Sequence, residues 1–420
     1  MNREDHCDVI VIGAGAAGIV AAITAARENK SVLLLEKLSN IGAKLKATGG
    51  GRCNLTNTLS QNDFMAKFGK NGRFMQDALS AFSATDLRAF LDSIGVATHA
   101  PDGFRIFPTS HSSATILSAF ENEIVRLNID LRTKSSVHSL LVENGNIKGV
   151  ACEDKHYFAP KVILATGGLG YPALGAQGDG YKMACEIGHS VSELAPAMMP
   201  LHTKESWVAA CTADTIAKAT LKVHMPKYKN LTAQGDLIFT KKGIRGPVVL
   251  DFAREITPIL AKCDEVPILA NLTKGLSEDE IIRHFKNEIA KDPRKSVLEH
   301  LQTLIPQSVA CEFVKLLGID SHATFAKVEG KSRDALYKLL AWTPLTISGH
   351  EGFAMAMITR GGIRLKEIDP KTMQSRLIEG LYFCGEVVDI DGPCGGYNLQ
   401  WSFSSGYLAA ISAARQEITI

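Results

Sequence analysis

"CDVIVIGAGAAGIVAAITAARENKSVLLLEK", residues 7–37, changes its hydrophobic rhythm twice. A continuous apolar run ends at Ile12. Gly13, Gly15 and Gly18 follow as G-x-G-x-x-G, an alanine-rich stretch runs to about Glu28, and "SVLLLE" is apolar again. A short unbroken apolar run suits a strand buried on both faces, and small residues after the glycines suit a helix packed closely on it. The order is strand, turn, helix, strand. In such a unit Gly13 permits the tight turn, Gly15 lets the backbone approach a pyrophosphate, and Gly18 lets helix pack on strand. Ala16 and Ala17 open the helix, whose amino end stabilises phosphate charge. Glu36, at the end of the second strand and next to Lys37, is placed to accept hydrogen bonds from ribose hydroxyls. An acid there disfavours a 2′-phosphate, and hence NADP, at this site. A lone G-x-G-x-x-G is weak, but here the strand, the helix and the acid agree on a dinucleotide. This unit does not separate FAD from NAD.

The chain has 420 residues, enough for two or three domains, and a formal charge of +2. Overall balance gives no electrostatic reason to expect nucleic acid or an anionic membrane as partner. Nine cysteines, scattered with no C-x-x-C pair, argue against a disulfide framework and for a reducing, cytoplasmic setting. "MNREDHCD" at the start is polar and mixed in charge, unlike a signal peptide. Residues 9–26 are uncharged for long enough to mimic a membrane span, but their three glycines and change of pattern favour strand turning into helix. His and Cys never cluster at metal-ligand spacing, so no metal is expected. No G-x-S-x-G turn supports a serine hydrolase.

Four further stretches carry the same glycine chemistry. "KLKATGGGRCNLTN", 44–57, holds three consecutive glycines. Each gives up more backbone entropy on ordering than any other residue, which implies something lying against that backbone. "KVILATGG", 161–168, is a buried strand ending in Ala165, Thr166 and Gly167. "GAQGDGYKMACEIGH", 175–189, is a glycine turn entering a helix, with Asp179 suited to capping it or meeting a ligand hydroxyl. "GLYFCGEVVDIDGPCGGYNLQWSFSSGYLAAISAAR", 380–415, reads as strand, glycine-rich loop and a helix starting near Asn398. No second G-x-G-x-x-G follows a strand. One dinucleotide site with approach loops spread from residue 13 to residue 400 suits a long, permanently held cofactor, FAD.

These blocks resemble the BaiN-like family of bacterial FAD-dependent oxidoreductases, related to the fumarate reductase and ketosteroid dehydrogenase flavoproteins. The match runs from near Asp8 to near Ala410. The resemblance implies an α/β fold, a Rossmann-like FAD-binding domain with an inserted β-rich domain carrying a small helical subdomain. It also implies that Lys44, Thr48, Gly49, Gly50, Gly51, Arg52, Cys53 and Asn54 lie along the flavin. Gly385 and Glu386 then meet the ribityl hydroxyls, Val137 offers backbone to adenine, and Gly396, Asn398, Leu399 and Gln400 flank the ring. A helix starting there would direct roughly half a positive charge at the reduced flavin.

From about Glu193 to Thr346 the character changes. "ATLKVHM", "GDLIFTKKG" and "GPVVLDFA" read as β-like runs, a charged helical stretch follows from Ser277 to about Leu317, and "LTISGH" reads as a strand. The expected division is 1–192 and 347–420 for the FAD-binding domain and 193–346 for a substrate domain acting as a lid over the flavin. Relatives often read like "FTHxGxSGP" where this chain has "FTKKGIRGP", placing Lys241, Lys242 and Arg245 in that loop. Arg360 likewise replaces a small residue.

Arg52, Arg105, His111, Tyr171 and Arg360 are the candidates for catalysis. Reducing a double bond conjugated to a carbonyl needs a cation or donor where negative charge develops and a proton donor at the other carbon. Arg52 and Arg360 suit the first role, Tyr171 or His111 the second. Each also has a structural explanation, as an ion-pair partner, a packing ring or a cap. Cys53, Cys384 and Cys394 lie in cofactor blocks and are read as packing residues rather than a redox dithiol. The expected function is hydride transfer from NADH or NADPH through FAD to a carbon–carbon double bond of a small-molecule substrate. The alternative is a flavin-dependent redox sensor or RNA-associated flavoprotein without turnover.

Overall fold

The computed structural model describes residues 6–153 and 155–415; the first five residues of "MNREDHCD" lie outside that range. The apolar run of the opening motif becomes strand Val9–Ile12, the alanine-rich stretch becomes helix Ala16–Arg27, and the second run becomes strand Val32–Leu35. They anchor a five-stranded sheet in the order Leu381–Phe383, Lys161–Leu164, Val9–Ile12, Val32–Leu35, Asp130–Arg132, with every neighbour pair parallel. Ile10, Val11, Leu34, Ile163 and Tyr382 are fully buried in it. Each such apolar side chain contributes about 1.5–3 kcal/mol relative to exposure. The long helix Tyr397–Arg415 packs on helix Ala16–Arg27, and a Cβ on Gly406 would lie 2.3 Å from Ala17 O, so the two backbones touch. An antiparallel meander, Val137–Glu143, Asn146–Cys152 and His156–Phe158, accompanies the sheet.

The chain divides into two compact units, Met1–Ala195 with Ile358–Ile420, and Pro196–Met357. Each has its own hydrophobic core. The second unit is a closed six-stranded antiparallel barrel in the order Leu201–Thr203, Gly243–Arg245, Thr232–Phe239, Thr215–Val223, Val266–Asn271, Thr343–His350. The boundary expected at 346/347 falls inside its last strand. That strand pairs with Val266–Asn271 on one side and Leu201–Thr203 on the other and so closes the barrel, moving the division to 357/358.

"GPVVLDFA" is not a strand. It opens helix Pro247–Leu260, with Pro247 in the first turn and Val248, Val249, Phe252, Ala253 and Ile256 buried along one side. Proline is pre-organised for a helix start, and a three-residue apolar run is too short to reveal the 3.6-residue period. The charged stretch from Ser277 forms helices Glu278–Lys291, Val297–Leu301 and Gln307–Leu316. Ser277 and Glu280 cap the first of these reciprocally, each side chain accepting from the other's backbone N–H.

Among the described residues no helix is long and apolar enough to cross a membrane, and no group of three or more His, Cys, Asp and Glu is gathered to hold a metal ion.

Candidate cofactor site and its surroundings

The three glycines of the opening motif answer to different partners. Gly13 has φ +96°, and a Cβ there would stand 2.7 Å from Ala165 O. On Gly18 it would stand 1.8 Å from Gly13 O, so no side chain fits between turn and helix. Gly15 differs. Its φ of −84° and ψ of −170° are extended values that any residue adopts, and a Cβ would meet nothing within 4 Å. Gly15 is the N-cap of helix Ala16–Arg27, where glycine is favoured, but nothing in the polypeptide excludes a side chain there, whereas a pyrophosphate seated on that amino end would. That open cradle is where the residues present fit a dinucleotide.

Glu36 is buried and serves the backbone first. One carboxylate oxygen accepts from Ala14 N and the other from Leu38 N, both at 2.8 Å. It thereby fixes the turn, and each oxygen keeps a further acceptor site for a hydroxyl. Lys37 forms an ion pair with Asp179 and donates to Gln177 Oε1 at 3.2 Å. Asp179 opens helix Asp179–Glu186 without capping it, so two candidate ligand residues are joined to each other across the fold.

Lys44 and Glu386 are joined likewise, Nζ to Oε2 at 2.7 Å. The other oxygen of Glu386 accepts from Thr359 N at 2.8 Å. Thr359 Oγ1 accepts from Leu169 N at 2.7 Å and Gly170 N at 3.2 Å. Thr359 thus ties the loop after strand Lys161–Leu164 to strand Ile358–Arg360, bringing the segments that carry Tyr171 and Arg360 together. Sequence reasoning passed over Thr359. Its one signal was a threonine before the Arg360-Gly361-Gly362 turn. Gly385 is held by its N–H to Ser405 Oγ at 2.9 Å and its carbonyl to Trp401 Nε1 at 3.1 Å.

In the triple-glycine loop Gly49, Gly50 and Gly51 have φ of +63°, +66° and +85°, and Cys53 has +59°. The loop closes on itself through Cys53 N to Thr48 O at 3.0 Å. Among the described residues, apart from its own chain neighbours, nothing lies within 4 Å of a Cβ placed on Gly50, Gly51 or Gly167. Opposite the loop's end, a Cβ on Gly396 would lie 2.5 Å from Thr56 O, and Asn57 Nδ2 donates to Gly395 O at 2.9 Å. The Asn54 carboxamide links the same two loops when its nitrogen donates to Thr56 O and its oxygen accepts from Gly396 N. Asn398 closes its own loop, accepting from Gly392 N and donating to Gly392 O and Pro393 O. Gln400 is 1% exposed and donates to Phe82 O and Ser404 Oγ. Leu399 packs partly buried against the core, as does Ala16; Ala17 is buried. Val137 is buried and pairs with Cys152, while Ala165 lines the turn at Gly13 and Thr166 Oγ1 is buried with no partner.

Arg52 and Arg105 lie over one phenylalanine, their guanidinium carbons 5.6 and 5.9 Å from the centre of the Phe107 ring. His111, with φ +51°, sets its ring edge-on to His99 at 4.6 Å and 6.1 Å from Phe107. Phe107 also borders the glycine loop, Cε1 lying 3.9 Å from a Cβ on Gly49. Three of the five catalytic candidates therefore surround one ring beside that loop. Arg105 is paired with Asp102 at 2.6 Å, which holds that carboxyl down to about 2 despite the opposing effect of desolvation. Arg52 donates to Gly49 O at 3.3 Å and has no carboxylate partner among the described residues. Arg360 lies 3.5 Å from Asp391, and Tyr171 takes a left-handed conformation, φ +57°, before Pro172. The nine cysteines are free thiols. Burial pushes Cys53 up to about 12 and raises Cys384 further, and thiols so protonated are poor nucleophiles.

A parallel sheet with a glycine turn at its centre, an acid closing the next strand and glycine loops left open by the chain define a dinucleotide-binding flavoprotein. The chain matches the HI0933-like protein Rossmann domain over residues 7–412 and belongs to that family of FAD-binding oxidoreductases. It is 32% identical to a 3-dehydro-bile acid delta(4,6)-reductase of Clostridium scindens, over 99% of this chain and all of the relative. It is 29% identical to a ribosomal RNA dihydrouridine synthase of Escherichia coli, over 97% and 98% of the two chains. Among solved structures, 3-ketosteroid-delta4-(5alpha)-dehydrogenase from Rhodococcus jostii shares the fold, with a TM-score of 0.54, 17% identity and 99% and 98% coverage.

Proposed function

We propose that this FAD-dependent oxidoreductase transfers hydride from a reduced nicotinamide to a carbon–carbon double bond conjugated to a carbonyl group. The observation that carries the reading is the open cradle at Gly15, in a chain alignable end to end with a relative named as a bile-acid delta(4,6)-reductase. FAD, when bound, supplies the hydride. Gly13 to Gly18 hold the pyrophosphate side, and Glu36 fixes the turn and takes a ribose hydroxyl. The Thr48–Asn54 loop, braced by Lys44, Glu386 and Asn54, would lie along the flavin. Arg52 is the candidate for stabilising charge that develops on the substrate's carbonyl oxygen, because Arg105 and Arg360 each have an acid at hand. His111 and Tyr171 are the candidate proton donors to the second carbon.

The test is anaerobic. NADH or NADPH should bleach the visible flavin band, and a conjugated enone should restore it at a rate that saturates with enone. Failure of both nicotinamides to bleach the flavin would remove the donor half of the proposal; failure of every enone would remove the acceptor half.

A second reading has its own support, since full-length relatives in Escherichia coli and Haemophilus influenzae are named ribosomal RNA dihydrouridine synthases. The 5,6 double bond of uracil is also conjugated to a carbonyl, so the same groups would serve. The acceptor would then be a base in RNA, detected as a mass gain of two hydrogens in a nuclease digest.

A further inference from the structure

We infer that the antiparallel ribbon from Thr215 to Arg245 in the barrel unit is an RNA-docking surface, gripping phosphates through Lys218, Lys241 and Arg245 at one end and through Lys227 and Lys229 at the other. The inference rests on the second reading, in which the acceptor base is carried by RNA. Charge is the first argument. Between Thr215 and Arg245 there are seven lysines and arginines against one acid, Asp236, in a chain whose total is +2, so the remainder is net acidic. Balance over the whole chain conceals a strongly basic element within it.

Geometry gathers these cations. Thr215 pairs with Ile238, and Ile238 with Arg245, so the start of the first strand and Arg245 meet at one end of the ribbon, flanked by the turn carrying Lys241 and Lys242. The pairing slips between Ile216 and Ala219, and Lys218 stands in that bulge with φ +54°. A lysine adopts the left-handed region unwillingly, and a bulge re-aims the side chain it carries. The single acid is turned to this bulge, Asp236 Oδ1 accepting from Lys218 N at 3.1 Å. Lys218, Lys241 and Arg245 are exposed and have no ion pair among the described residues; Lys242 has Glu351 at 3.6 Å. At the opposite turn stand exposed Lys227 and Lys229, the former over the ring of Tyr228 at 5.4 Å.

The extent of the patch selects the partner. A nine-residue strand separates its two ends by about 30 Å, far more than one nucleotide's phosphates could bridge. A bilayer surface would call for apolar anchors, yet the exposed large hydrophobic residues are Val125, Leu316, Met355 and Leu377, none of them on the ribbon. A nucleic-acid backbone with neighbouring bases suits spaced cations beside an aromatic ring.

The test uses full-length, FAD-loaded protein and a fluorescein-labelled, uridine-rich RNA hairpin, with anisotropy followed as potassium chloride is raised. Three phosphate contacts predict a log–log salt slope of about −3 from these residues alone. Lys218→Glu, Lys241→Glu and Arg245→Glu together should weaken binding by about 30-fold or more and flatten the slope by about 3. The corresponding triple glutamine variant should lose less, and both should keep their flavin colour, which excludes misfolding. Unchanged affinity and slope in the charge-reversed variant would overturn the inference, as would salt-independent binding by the wild type. Dihydrouridine formation at the wild-type rate in that variant would sink the surface and leave the second reading standing. Ribbon-dependent binding without any dihydrouridine would do the opposite.

Discussion

The barrel strands and the cofactor loops both use glycine, for opposite purposes. On the barrel a Cβ at Gly243 would lie 2.2 Å from Leu201 O, and one at Gly235 would lie 3.3 Å from Val248 N, so the chain itself fills the space the side chain gives up. At Gly15, Gly50, Gly51 and Gly167 nothing among the described residues, apart from the chain neighbours, comes within 4 Å of such a Cβ. The first kind of glycine is there for the fold; in the second, the positive φ of Gly50, Gly51 and Gly167 already calls for glycine, which leaves Gly15 as the position we propose makes room for something that is not polypeptide. Both kinds occur within three residues of each other in the opening motif, at Gly18 and Gly15, which makes the contrast open to experiment.

The largest effect should come from the fold-bound glycine. Gly18→Ala forces a methyl carbon to 1.8 Å from Gly13 O, a backbone atom that cannot step aside without opening the turn. Destabilisation of about 3 kcal/mol or more is expected, at the upper end of overpacking costs. Chemical denaturation of the flavin-free protein measures it. A stable Gly18→Ala protein would mean that helix and turn are looser than the contact implies.

A smaller effect should come from the acid that straddles the two roles. Glu36→Ala removes the acceptor for Ala14 N, which is fully buried, and for Leu38 N. Charge-assisted hydrogen bonds of this kind predict a loss of ~1.5–3 kcal/mol in the flavin-free protein. Weakened FAD binding with no loss of stability would instead assign Glu36 to the ribose alone.

The same contrast explains what the sequence made legible. Gly13, Gly15, Gly18 and Glu36 could be read because their meaning is local, a turn and the strand that follows it. The Ser277–Glu280 cap was readable for the same reason. Lys44 with Glu386, 342 residues apart, could not be paired from sequence, nor could Thr359 with Leu169 at a separation of 190. Asn398 and Gln400 lie in a block that announces a cofactor, yet their side chains bond to Gly392, Phe82 and Ser404, since a loop that meets a ligand must itself be held. Barrel closure was hidden because its first and last strands are far apart in the chain and neither carries a motif. Lys241, Lys242 and Arg245 stood out in the sequence as a cationic loop, but their continuation along the ribbon to Lys218, Lys227 and Lys229 did not, because formal charge was summed over all 420 residues rather than along one pair of strands.

The central claim, that the open cradle at the head of helix Ala16–Arg27 exists for FAD, is tested most directly at Gly15. Gly50 is less suitable, since its φ of +66° strains any substituent whatever occupies the space. Gly15 has extended angles that valine adopts readily, and open space around it. The measurement is the visible flavin absorbance per protein chain of purified Gly15→Val, alongside its circular dichroism and its denaturation midpoint after flavin removal. The account predicts a wild-type spectrum for the stripped protein, a midpoint lowered only by the loss of a favoured N-cap, about 1 kcal/mol, and little or no bound FAD. A Gly15→Val protein carrying one FAD per chain would contradict it, and would mean that the cradle at the head of helix Ala16–Arg27 does not hold the cofactor.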